Sequence, residues 1–109
     1  MNSRTEWPDD ADGDVFRRLA RSEFDFDSEL DIDFNIDLES WPPPDPLLRQ
    51  LRQSYSKVEV VEPDDKGPGY ITFVVKAKLT YELVTTIQRT ATEVAKPFGG
   101  VCESWGVLH

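Results

Sequence analysis

The sequence predicts an α+β fold: a ferredoxin-like split βαβ sandwich, in which a four-stranded antiparallel sheet carries two helices on one face, with an additional N-terminal helix. Three observations lead there. The stretch "LDIDFNIDLE", residues 30 to 39, alternates apolar and polar over its whole length, which is the period of a half-buried strand and of no helix. Helical and strand periodicities then follow one another as helix, strand, helix, strand, strand, helix, strand. Right-handed crossovers turn the last six of these elements into the split βαβ arrangement.

The first helix is predicted in "DADGDVFRRLARSEF": Asp12 or Asp14 can cap it, acids near its start complement the helix dipole, and Val15, Phe16, Leu19 and Ala20 form its apolar stripe. "DFDSE" bridges to the alternating strand. There Leu30, Ile32, Phe34, Ile36 and Leu38 share one face, and Asp31, Asp33, Asn35, Asp37 and Glu39 share the other. In "SWPPPDPLLRQLRQSY" the prolines end the ladder, Asp45 can cap and Pro46 suits the first turn. Leu47, Leu48, Leu51 and Tyr55 mark a second helix of about ten residues.

"KVEVVE" reads as a short strand and "PDDKGPG" as a turn built of the expected residue types. The long strand "GYITFVVKAKLT" puts Ile71, Phe73, Val75, Ala77 and Leu79 on one face, against Tyr70, Thr72, Val74, Lys76 and Lys78 on the wetter one. A third helix carries Leu83, Ile87, Ala91 and Val94, broadened by Val84 and Ala95, and stops before Pro97. "GGVCESWGVLH" closes the chain as a strand after two glycines. Trp7 and Trp41 fit as covers for core edges. The topology puts the acidic strand in the centre of the sheet, its carboxylates on the face without helices and Lys76 and Lys78 opposite them.

At 109 residues the chain suits one domain, residues 9 to 109 after a flexible lead of residues 1 to 8. Cys102 is the single cysteine, which excludes an internal disulfide and gives no sign of an oxidising compartment. With no signal-peptide pattern and no long apolar run, a cytoplasmic, soluble protein is expected, with no membrane contact. The net charge of -9 lies wholly in residues 1 to 40, which hold 13 acids against 4 arginines; residues 41 to 109 balance 8 against 8. Such a field repels phosphate backbones and attracts basic surfaces. Direct nucleic-acid binding is therefore not expected, and a basic protein partner is.

Neighbouring acids on one strand face lie roughly 7 Å apart, where two charges in water repel by only about 0.6 kcal/mol; the row can be simply the wet side of a strand. Acids along a straight strand diverge from any point where a cation could sit, and the calcium-loop spacing fails from Asp10 and from Asp31. No metal or other cofactor is expected. An open face keeps paired carboxylates solvated, the only histidine is the last residue, His109, and Cys102 reads as a small core residue. No catalytic residue is assigned, and the protein reads as a non-enzyme. Trp105, two residues after Glu103 and before Gly106, either packs the sheet end or serves as an aromatic anchor beside acids.

Two stretches, "DADGDVFRRLARSEFDF" and "FGGVCESWG", together resemble the bacterial regulator of ribonuclease activity B family, the ribonuclease E inhibitor proteins, over roughly residues 8 to 108. The first motif is matched by Asp12, Gly13 and Asp14, which open the helix. The second is an aromatic-Asp-Gly-Trp-Gly run after a glycine pair; Gly99, Gly100, Trp105 and Gly106 match it, while Cys102, Glu103 and Ser104 depart from it. The resemblance implies a ferredoxin-like α+β fold and a non-enzymatic protein that binds the large endoribonuclease and lowers its activity towards RNA. On both grounds Asp31, Asp33, Asp37, Glu39, Glu103 and Trp105 are the expected contacts of a basic partner. Such a protein is expected to be a monomer or weak homodimer. An alternative is a structural or accessory interaction protein that self-associates through the apolar surface of an edge strand or through its first helix, with Val15, Phe16, Phe24 and Phe26 as its contacts.

Overall fold

A computed structural model describes residues 7–107. The elements are α1 (Ala11–Arg21), β1 (Glu29–Leu38), α2 (Asp45–Ser54), β2 (Ser56–Val61), β3 (Tyr70–Lys78), α3 (Tyr81–Ala95), a 3-10 turn (Lys96–Phe98) and β4 (Gly100–Val107). They form one antiparallel sheet in the order β2-β3-β1-β4. This is the ferredoxin-like arrangement expected, with the acidic strand in the middle. No helix among the described residues is long and apolar enough to cross a membrane.

Alternation decides which side of the sheet is covered. Ile32, Phe34 and Ile36 of β1 and Ile71 and Phe73 of β3 are fully buried, against Leu47 and Leu51 of α2 and Val84, Ala91 and Ala95 of α3. Burial of each such side chain stabilises by roughly 1.5–3 kcal/mol. Phe34 stands opposite Phe73 in the ladder with ring centroids 5.4 Å apart, and Tyr55 stacks on Phe73 at 4.1 Å. On the opposite side Asp31, Asp33 and Asp37 of β1 are exposed, and Tyr70, Thr72 and Val74 of β3 are half-buried.

The first helix completes this core. Phe16 is fully buried and touches the rings of Trp7, Phe26, Tyr81 and Trp105, with centroids 5.3 to 6.1 Å apart. α1 therefore extends the helical layer over one end of the covered face. Phe16 and Phe26 are interior, so they cannot serve as the self-association contacts considered from sequence. Trp7 packs against the core, in keeping with its reading as a cover for a core edge; residues 1 to 6 of the lead lie outside the described residues.

Both predicted caps shift. Asp10, not Asp12 or Asp14, caps α1: its extended backbone lets Oδ1 accept from the Gly13 amide at 2.7 Å, and the other two acids fall inside the first turn. Pro44, not Asp45, precedes α2, because its carbonyl accepts from the Leu47 and Leu48 amides. In α3 the buried line is Val84, Ala91 and Ala95, with Leu83, Ile87 and Val94 half-buried at its sides. Small residues let the helix lie close to β4: a Cβ on Gly100 would come within 2.8 Å of the Ala95 Cβ.

Candidate functional site

The uncovered face is set out by the strand register. Asp31, Asp33 and Asp37 are exposed along β1, and Glu39 is exposed just beyond the strand, where its amide donates to the Gly99 carbonyl at 3.0 Å. Asp31 stands opposite Lys76 and Glu29 opposite Lys78. The ion pair that Asp31 makes is with a third lysine, Lys57 of β2, at 3.8 Å. That lysine had no signal in the sequence: it comes into reach through a register shift in β2, where it takes a positive φ of 52°. Among the described residues Asp33, Asp37 and Glu39 have no ion-pair partner. Asn35, between them, donates to the Ser104 hydroxyl at 3.2 Å.

The register also decides where Trp105 points. Ile36 pairs with Cys102, but Asn35 pairs with Ser104, so Glu103 is an extra residue in β4. A bulge of this kind resets the alternation. Cys102 faces the core before it, and Trp105, opposite the buried Phe34, faces the core after it. Asp31, Asp33 and Asp37 thus share one face of the sheet and Trp105 lies on the other. Glu103 is exposed at the bulge, on the β4 border of the sheet.

Trp105 instead joins the chain's two ends. Its Nε1 donates to Asp12 Oδ1 at 2.8 Å, and its ring lies 5.4 Å from that of Phe16. A second bond runs parallel: the Tyr81 hydroxyl donates to Asp10 Oδ2 at 2.5 Å. Gly13 is forced, since a Cβ there would stand 1.9 Å from the Pro8 carbonyl oxygen. Gly99 has φ +78°, the left-handed region that favours glycine. Asp14 pairs with Arg17 at 2.5 Å. Gly106 stands opposite Asp33 and has open space where a Cβ would go. Spacing along the chain gave no hint of the Asp12–Trp105 bond, because its partners are 93 residues apart.

Chemically, a flat row of solvated carboxylates is suited to long-range attraction of cations and to pairing at the rim of a contact. Among the described residues no three His, Cys, Asp or Glu side chains are grouped to hold a metal ion. Burial, with the Asp37 charge nearby, pushes the Cys102 thiol up to about 12, so it stays protonated and is a poor nucleophile. An open groove of about 540 Å³ lies between Trp7, Phe16, Phe26, Lys78 and Tyr81. It contains none of the strand acids.

Comparison with known proteins gives one family. The family model described as "Regulator of ribonuclease activity B" matches residues 9–107, nearly the whole chain. No curated protein matches it significantly.

Proposed function

The chain belongs to the regulator of ribonuclease activity B family, and from that membership we propose that it is a non-catalytic regulator that lowers ribonuclease activity by binding the enzyme. Its partner is an endoribonuclease acting in RNA decay, held through a basic region of that protein. The contacts are Asp31, Asp33, Asp37 and Glu39, with Glu103 at the border. The observation that supports this reading is the uncovered central strand, whose carboxylates stand exposed and mostly without cations of their own. Exposed ion pairs contribute about 0.2–1 kcal/mol each, so four or five of them give a contact that is fast to form and readily screened. Trp105 takes a supporting part: tied to Asp12, it holds α1 on the sheet rather than meeting the partner.

The test uses the purified endoribonuclease and two forms of this protein, wild type and Asp31→Asn/Asp33→Asn/Asp37→Asn/Glu39→Gln. At low salt the variant is expected to bind roughly tenfold or more weakly and to relieve inhibition of RNA cleavage in proportion. Wild-type binding should approach that of the variant as salt is raised. Equal affinity of the two forms at low salt would remove the acidic face from the contact.

A further inference from the structure

The uncovered face is not only acidic. Val61, Tyr70, Val74 and Val101 are half-buried, yet none packs against the hydrophobic core. The register gathers them: Val61 of β2 pairs with Tyr70 of β3, which pairs with Asp37 of β1, which pairs with Val101 of β4. Tyr70, Thr72 and Val74 run along β3 as a strip. Its two sides are acidic. Glu59 of β2 stands beside Thr72, and Asp33 and Asp37 of β1 stand beside Val74 and Tyr70. Further along β3 the acidic excess ends: Lys76 and Lys78 stand opposite Asp31 and Glu29 of β1, and Lys57 pairs with Asp31.

Resting on the reading of this face as the partner contact, we propose that its occupant is a basic amphipathic helix of the partner, laid along β3. Width argues for a helix. From β2 across β3 to β1 is two strand spacings, about 10 Å, and a helix with its side chains is about 10–12 Å across. An apolar stripe on such a helix meets Tyr70 and Val74, while arginines or lysines on both its flanks meet Glu59 on one side and Asp33 and Asp37 on the other. Burying a sheet's free face beneath a helix is also the usual way a layered fold completes itself. The change from an acidic to a balanced surface sets a direction: the most cationic part of the helix lies over Tyr70, Asp37 and Glu59, and its end over Lys76 and Lys78 carries less charge.

Two synthetic peptides of identical composition test this by fluorescence anisotropy at several salt concentrations. One places leucine at i, i+3, i+4 and i+7 with arginine flanking, and the other scrambles that periodicity. The amphipathic peptide is expected to bind about tenfold more tightly at moderate salt. Tyr70→Ser/Val74→Thr, which keeps every charge and touches no core residue, should remove most of that advantage. Gly106→Gln, which fills open space opposite Asp33, should weaken the same peptide. Thermal unfolding of each variant checks that the fold is intact. If both peptides bind wild type equally and the Tyr70/Val74 variant changes nothing, while the acid-neutralised variant loses both, the helix proposal falls and the acidic contact stands. If the acid-neutralised variant binds as wild type does, both fall. Concentration-dependent self-association that is blocked by Gly106→Gln would assign the strip to a second copy of this chain and overturn the proposal.

Discussion

Trp105 is fastened by one polar atom. Its indole N–H donates to Asp12, and its ring rests on Phe16, so one side chain joins the start of the chain to its last strand. A hydrogen bond of this kind contributes about 0.5–1.5 kcal/mol net. Trp105→Phe keeps an aromatic ring there but leaves Asp12 without its donor, and Asp12→Ala removes the acceptor. In a double-mutant cycle read by urea unfolding, the double variant is expected to recover a coupling of about 0.5–1.5 kcal/mol. Strictly additive losses would show that the bond contributes nothing and that Trp105 matters through its ring alone.

The elements show where local chemistry and tertiary position agree and where they do not. α1 ends with the Glu23 amide donating to Ala20 and the Phe24 amide to Leu19, a Schellman arrangement that places Glu23 at φ 61°. A left-handed residue with a side chain costs roughly 1–2 kcal/mol. Glu23→Gly is therefore expected to stabilise the protein by about 1 kcal/mol after the entropy lost from the unfolded chain is counted. A raised urea midpoint with an unchanged slope is the check, and a lowered midpoint would mean that Glu23 makes a compensating contact. In β4 the extra residue Glu103 reverses the alternation, so the strand's two halves bury opposite phases of one sequence pattern.

At the scale of the whole molecule, described acids of the first 40 residues stand both on the uncovered face and at the α1 end. At α1, acids are used as fasteners. The Tyr81 hydroxyl and the Gly13 amide hold the Asp10 carboxyl below its ordinary value, and the same hydrogen bond raises the Tyr81 hydroxyl above its own. A lowered carboxyl contributes stability that is complete above its unfolded value and lost as pH falls through the folded one. A raised phenol contributes below its unfolded value and loses that contribution as pH climbs past the folded one. The pair's contribution is thus flat between about pH 5 and 9 and fades on both sides. Asp10→Asn should reduce stability on this plateau and flatten part of the acid limb; an acid limb identical to wild type would remove Asp10 from the linkage.

Strict alternation in residues 30 to 38, the helical stripes and the order of the elements were enough to determine the sandwich, its central acidic strand and the outward direction of Asp31, Asp33 and Asp37, since these follow from backbone period and handed crossovers. The acidic face was legible for the same reason. Only the tertiary structure decided which way Trp105 turns, because one unpaired residue at Glu103 inverts a two-residue period and no local preference marks the place. It also decided that Asp10 caps α1, that Asp12 meets Trp105, and that Val61, Tyr70, Val74 and Val101 gather on one uncovered face. Such contacts join residues far apart in the chain, and they arise when the strands settle into register against the packed helices.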